Sequence, residues 1–270
     1  SQGKFEAKVK NMRVHDRENW LTVLSEEVID LRSFQVIFMR KDPPMNMNYM
    51  YTTYLLELLQ QQGVLIVNDP KALRNVNEKL YTAWFPQCCV ETTVSSQAQV
   101  FLHFLSIHQD IIIKPLGAMG GRSIFRIRQG DPNTNVILET LTEHGQTPAM
   151  AQRFIPQIDQ GDKRLILING EVVPYALARI PKPGETRGNL AAGARAEGRK
   201  LTERDLWLCQ QVSPQLKTSG LAFVGLDVIG DYITEINVTS PTGIRELDRL
   251  FELNISSQLL DWVETRSAGN

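Results

Sequence analysis

Asp227, Glu235 and Asn237 stand in "LAFVGLDVIGDYITEINVTSP", where two apolar β-type runs meet at Gly230 and Asp231. Two carboxylates and a carboxamide are hard oxygen donors, and such a set suits Mg²⁺ held jointly with phosphate oxygens. Glu235 and Asn237 lie two apart, so on a strand they share a face. The side taken by Asp227 depends on the turn. A two-residue turn at Gly230 and Asp231 pairs it with Thr234 and aims it away from Glu235; a three-residue turn through Tyr232 pairs it with Glu235. The three-residue geometry is expected, because it gathers all three donors on one face.

A second candidate is Lys114 in "DIIIKPLGAMGGRSIFRI". A buried strand rarely ends in an ammonium without a partner, so Lys114 either snorkels to water or meets an anion such as a ligand phosphate. The glycines that follow are not a Walker loop. They lack its Gly-Lys-Ser/Thr ending and lead into a strand, so any phosphate there would rest on the amides of a hairpin loop. The longest irregular stretch, "IPKPGETRGNLAAGARAEGRK" from Ile180 to Lys200, is of a length that compact domains reserve for lids and binding loops.

These groups need a scaffold. With 270 residues, the chain is long enough for two domains or one large one. "FQVIFMRKDPP", "MNYMYTTYLLELLQQQG" and "VLIVNDP" read as strand, helix and strand, the order of a parallel crossover. "NVNEKLYTAWF" is a helix candidate with Asn75 or Asn77 as its cap, and "SQAQVFLHFLSIH" is another helix. The pattern predicts a mixed α+β protein. Domain boundaries are expected at 1–76, 77–155 and 156–270. A formal net charge of −1 removes the footprint of a general nucleic-acid binder. Three cysteines without CxxC spacing form no disulfide framework, no apolar run is long enough to span a bilayer, and the opening residues do not form a signal peptide. A soluble, cytoplasmic protein is the expectation.

Taken together and in order, "MRKDPP", "NEKLYTAWF", "IIKPLGAMGGRSIFR", "ETLTEHG", "GDKRLILINGEVVPYALARIP", "GETRGNLAAG" and "VGLDVIGDYITEINVTSPTGIRE" resemble the bacterial glutathione synthetases, which are ATP-grasp ligases. The resemblance runs from about Phe34 to Glu246. It implies two α+β lobes gripping ATP behind a parallel-sheet N-terminal domain, and ligation of γ-glutamylcysteine to glycine through an acyl phosphate. It also implies a homo-oligomer, dimer or tetramer. Relatives open with a further strand and helix, so the intact protein is expected to carry more N-terminal residues. Another carboxylate–amine ligase of the superfamily would share the nucleotide and metal residues, and a regulatory module would keep ATP binding without turnover.

By the same resemblance, Lys79, Lys114, Gly120, Gly121 and Ser123 contact the phosphates of ATP, and Gln152, Phe154 and Ile155 adjoin its adenine. Asp227, Glu235 and Asn237 take the Mg²⁺ positions, where Mn²⁺ is an alternative. Arg164 and Arg179 lie beside the transferred phosphoryl group. Asp162, Arg187, Asn189, Ser240 and Thr242 bind the peptide substrate and glycine, with "GETRGNLAAG" as a lid. Many relatives have aspartate where this chain has Gly117, which leaves the closure of the phosphate loop open.

Overall fold

The structure is a computed structural model; it describes residues 3–182, 184, 188 and 193–267. The chain opens with an antiparallel hairpin, β1 (Glu6–Val14) and β2 (Leu21–Asp30). Both strands are largely exposed, so neither carries the apolar alternation by which a strand is read from sequence. Next come β3 (Val36–Phe38), α1 (Met47–Gln60), β4 (Leu65–Val67) and α2 (Pro70–Asn75). The strands β3 and β4 are parallel, as the strand-helix-strand order predicts. Asp69 caps α2 by accepting from the amides of Lys71 and Ala72, with Pro70 at the first helical position.

The helix expected over "NVNEKLYTAWF" is instead a short 3₁₀ segment, Leu80–Trp84. Pro86 follows at once and stops it from lengthening. Asn77 does take the capping role, its side-chain oxygen accepting from the amides of Lys79 and Leu80.

A four-stranded antiparallel sheet then forms from β5 (Thr92–Ser95), β6 (Asp110–Pro115), β7 (Phe125–Arg128) and β8 (Ala149–Arg153), in the order β5-β8-β6-β7. It is backed by α3 (Ala98–His108) and α4 (Thr134–Thr142). Phe101, Leu105, Ile111, Ile113, Ile127 and Leu138 make a core private to this lobe.

The last lobe is a five-stranded antiparallel sheet, β11-β10-β9-β12-β13, built from β9 (Asp162–Ile168), β10 (Glu171–Ile180), β11 (Arg195–Lys200), β12 (Phe223–Ile229) and β13 (Tyr232–Asn237). Arg195–Lys200, expected to be irregular, is thus an edge strand, paired to β10. Its single glycine, Gly198, leaves room for the Phe251 ring, which a Cβ there would meet at 2.4 Å. The helices are α5 (Glu203–Thr218), held at its start by a Thr202/Asp205 capping box, α6 (Ile244–Phe251) and α7 (Ile255–Ser267). Leu165, Leu167, Val224 and Leu226 face α5, in one core that continues into the N-terminal unit through Tyr49, Leu59 and Leu73. Ile166, Ile168 and Phe223 face the opposite side, with Leu247 and Ile255. The N-terminal unit and the last lobe therefore share a core, whereas the middle lobe has its own, and a cleft lies between them.

Candidate active site

Strand pleating lines up the charged groups. Arg164 on β9 pairs with Asp227 on β12, which pairs with Glu235 on β13, so the three lie in one cross-strand row. Asp162 lies two residues before Arg164 on the same face and pairs with Arg179 on β10. Asn237 follows Glu235 by two and pairs with Gly225.

The turn that sets this row is not the three-residue one expected from the sequence. Ile229 pairs with Tyr232 across a two-residue turn at Gly230 and Asp231, with only Gly230 at positive φ, as a type II′ turn requires. On its own that register would face Asp227 away from Glu235. A β-bulge corrects it: Val228 pairs with Ile233, but Asp227 pairs with Glu235, so Thr234 is the extra residue. The bulge also redirects the Thr234 carbonyl, which accepts from the Lys114 ammonium at 3.2 Å. One irregularity thus gathers the carboxylates and supplies the buried lysine with a partner.

The charges are closely coupled. Arg164 holds Asp227 in a two-pronged bond, Nε to Oδ1 at 2.5 Å and Nη2 to Oδ2 at 3.0 Å. A planar guanidinium is built for this pairing. Arg179 bridges the Asp162 and Asp227 carboxylates, at 2.5 and 2.9 Å. Lys79 donates to the Ala118 carbonyl in the glycine loop and lies 3.5 Å from Glu235. Burial works against ionisation of Asp227, but the two arginines outweigh it and hold its carboxyl well below the usual range. Burial pushes Asp162 up to about 7 despite Arg179 beside it. Burial also lowers the Lys114 ammonium below its ordinary value, with Glu235 opposing. Lys79, Lys114, Arg164 and Arg179 converge here with Asp162, Asp227, Glu235 and Glu78, four cations and four carboxylates, and burial raises Asp162 and Glu78 toward their neutral forms. Such a junction attracts polyanions.

Two chambers meet there. One, of about 830 Å³, has apolar walls from Ile112, Phe154, Ile155 and Ile229, with Lys79, Lys114, Gly120, Gly121 and Gln152 at its rim. The Arg126 guanidinium stacks 3.4 Å from the centre of the Phe154 ring and keeps that wall in place. The amides of Arg153 and Phe154 donate to the Glu91 and Asp110 carbonyls; the described hydrogen bonds leave the Ile155 amide free. The second chamber, of about 950 Å³, is polar and lined by Arg164, Arg179, Asn237, Ser240 and Thr242. Lys79, Asp227 and Glu235 border both.

Most of the residues singled out from sequence thus converge. Asp162, expected beside the peptide substrate, instead lines the first chamber, and its Oδ1 is buried without a hydrogen-bond partner. Ser123 has positive φ, is exposed, and does not line either chamber. Arg187 and Asn189 lie outside the described residues. From the same stretch Gly188 packs on Asp162, where a Cβ would come within 2.7 Å of that residue's own Cβ. A Cβ at Gly117 meets nothing within 4 Å, so a larger side chain there has room. Sequence reading assigned no role to Asp42, Pro43 or Glu78, which also line the second chamber. Their one signal was membership of the "MRKDPP" and "NEK" motifs.

Hard-oxygen chemistry fits the junction. Asp227 is already bound by two guanidiniums, and among the described residues Glu235 Oε2 and Asn237 Oδ1 accept no hydrogen bond. No group of three His, Cys, Asp or Glu side chains with metal-binding geometry occurs among the described residues, so a bound cation would rely on the amide oxygen of Asn237 and on phosphate oxygens.

Comparison with known proteins agrees with this architecture. Residues 78–252 match the family model of the prokaryotic glutathione synthetase ATP-grasp domain, and residues 1–74 match that of the prokaryotic glutathione synthetase N-terminal domain. The chain is 53% identical over 253 residues to a glutathione synthetase of Coxiella burnetii, covering 94% of this chain and 79% of that one. It is 52% identical over 269 residues to a glutathione synthetase of Vibrio parahaemolyticus, covering 99% and 85%. Among solved structures it is similar in fold to a D-cycloserine synthetase, with a TM-score of 0.61 at 15% identity over 79% of this chain and 78% of that one. It is similar also to the ATP-grasp ligase PsnB complexed with minimal precursor, Mg and ADP, with a TM-score of 0.61 at 16% identity over 96% and 85%.

Proposed function

The chain belongs to the prokaryotic glutathione synthetase family, and on that premise we propose how its two-chambered cleft carries out ATP-dependent glutathione synthesis. It is an ATP-grasp ligase that acts on small molecules. The observation that carries the mechanism is the meeting of an apolar and a polar chamber at one cationic junction.

Adenine lies in the first chamber, between the Phe154 and Ile155 walls, with the free Ile155 amide at its edge. The phosphates reach the junction, where Lys79, Lys114 and the amides of Gly120 and Gly121 hold them. The cysteinyl carboxylate of γ-glutamylcysteine enters from the second chamber, beside Arg164 and Arg179. Two anions must approach each other, and the four cations at the junction offset their repulsion. Transfer of the γ-phosphoryl group to the carboxylate breaks the bond to ADP and forms an acyl phosphate. The glycine amine, placed by Ser240 and Thr242 at its carboxylate, then attacks the acyl carbon and phosphate leaves. Mg²⁺, or Mn²⁺ in its place, would be held by Asp227, Glu235 and Asn237 and would supply Lewis-acid neutralisation of phosphate charge. Asp162 belongs with the nucleotide on this reading. Arg187 and Asn189 are assigned to the lid over the acyl phosphate, where exclusion of water prevents hydrolysis.

We also infer the domain division 1–76, 77–155 and 156–270, a homo-oligomer of two or four chains, and a cytoplasmic location. The break between the two family matches, at 74 and 78, supports the first boundary and the separate core of β5–β8 the second, while Tyr81, Phe85 and Cys88 pack in the core of the flanking units; the three free cysteines support the location. No described helix is long and apolar enough to cross a membrane.

The experiment is ADP release with ATP, Mg²⁺ and glycine, comparing γ-glutamylcysteine, D-alanine and no acceptor. Release is expected only with γ-glutamylcysteine and glycine together. Glu235→Gln is expected to lower it by about 10²-fold or more, the scale seen when one electrostatic stabiliser of a transition state is removed. Equal turnover with D-alanine, or full activity in Glu235→Gln, would overturn the reading.

A further inference from the structure

The ladder between β12 and β13 ends at the pair Gly225–Asn237. Beyond it the chain has no strand partner, yet Val238 and Thr239 are buried, and Thr239, Ser240, Thr242 and Gly243 line the second chamber. A buried backbone that leaves a ladder must find other partners for its polar groups. Here the partners come from outside its own lobe. Glu78 Oε1 accepts from the amide of Val238 at 2.8 Å, the amide of Thr239 at 2.9 Å and the Thr239 hydroxyl at 2.9 Å. The backbone carbonyl of Glu78 accepts from the Ile236 amide at 2.8 Å. On the other side Asn68 Nδ2 donates to the Val238 carbonyl at 2.7 Å and to the Phe223 carbonyl at 2.8 Å, while its Oδ1 accepts from the Phe223 amide at 2.8 Å.

We propose that Glu78 and Asn68 are positioning residues that clamp Val238 from both sides and thereby set the loop that receives glycine. The assignment of glycine to that loop rests on the function proposed above; the clamp itself does not. Both polar groups of the Val238 backbone are taken by buried or half-buried side chains, one from the N-terminal unit and one from the "NEK" segment. Arg40, from "MRKDPP", adds a third hold by donating to the Pro241 carbonyl at 3.0 Å. Glu78 directly precedes Lys79, so the same short segment places an ATP-facing cation and the acceptor end of the cleft. This gives "NEK" a second function beside its lysine: it ties the nucleotide side of the junction to the glycine side.

The test uses Glu78→Ala, Glu78→Gln and Asn68→Asp in the full chain. Glu78→Ala leaves three donors without an acceptor, and the amide oxygen of Glu78→Gln restores one. Asn68→Asp keeps the shape but cannot donate. The expected result is a rise of about tenfold or more in the glycine KM for Glu78→Ala and Asn68→Asp, with the ATP KM within about twofold of the parent and substantial recovery in Glu78→Gln. Amide hydrogen exchange of the peptide spanning 236–243 is expected to quicken in Glu78→Ala, while that of 165–168 does not. A glycine KM unchanged in both variants, or all KM values shifting together in proportion to a lowered Tm, would overturn the proposal. So would unchanged exchange at 236–243. If the parent enzyme makes no glutathione, the functional reading fails, while the exchange experiment still decides whether the clamp exists.

Discussion

Asp162 and Asp227 lie on neighbouring strands and share Arg179, yet their environments separate them. Two guanidiniums hold Asp227 ionised, whereas among the described residues Asp162 has one charged partner and one buried oxygen with none. Its carboxyl is pushed up to about 7 from an ordinary 3.8. The folded chain therefore keeps a proton on Asp162 where the unfolded chain has released it, and stability from this group falls as pH rises from about 4 to about 7. Asp227 acts in the opposite sense and in another window, losing its contribution only as pH falls below its ordinary value. Denaturant unfolding without nucleotide or metal is expected to show a shallower decline between pH 4.5 and 7 in Asp162→Asn than in the parent, a range set by the values above. Identical slopes would mean that Asp162 titrates normally.

At the scale of elements, the decisive feature is the bulge at Thr234. Without it, the two-residue turn would place Asp227 and Glu235 on opposite faces and leave Lys114 without its carbonyl. The same strand pair needs Gly225. A Cβ there would meet Arg164 Cδ at 2.8 Å and Pro241 Cβ at 3.0 Å, so glycine lets the Arg164 side chain cross the sheet to Asp227. Gly225→Ala is expected to displace that guanidinium, lowering kcat by about tenfold or more at a stability cost of about 1–3 kcal/mol, the usual range for overpacking. Steady-state kinetics and thermal unfolding check the two together; unchanged kcat would show that Arg164 does not need this path. The strand pair was legible as two apolar runs. The bulge was not, because β12 is buried on both faces and shows no alternation whose phase could reveal an extra residue opposite it.

Over the whole molecule, the N-terminal unit and the last lobe share one apolar core, which Tyr81, Phe85 and Cys88 join, whereas the β5–β8 sheet and its helices pack on a core of their own. ATP would therefore contact two separately packed bodies. The outer surface carries an unusual feature on α1. Tyr49, Thr53, Leu56 and Leu59 are buried, while Met47, Tyr51, Leu55 and Leu58 lie on the opposite face and are exposed. A helix apolar on both faces suits a chain that packs against another copy. Light scattering is expected to give two or four times the 30.6 kDa chain mass; a monomer at micromolar concentration would refute the homo-oligomer.

The family, the mixed α+β class, the parallel β3-α1-β4 unit and the residue types at the junction were legible in the amino-acid order, because these follow from motif order and local periodicity. Lys114, Asp227 and Glu235 could be picked out because a charge beside an apolar run is conspicuous, and Lys79 through the family resemblance of its motif. How they meet came from the folded chain. It set Asp162 against the apolar-walled first chamber, turned Arg195–Lys200 into an edge strand, and made Asn68 and Glu78 partners of Val238 across 170 and 160 residues. Each of these depends on a partner distant in the chain. A hydrogen bond closed by folding has no local pattern to announce it, whereas an amphipathic helix or an apolar strand does.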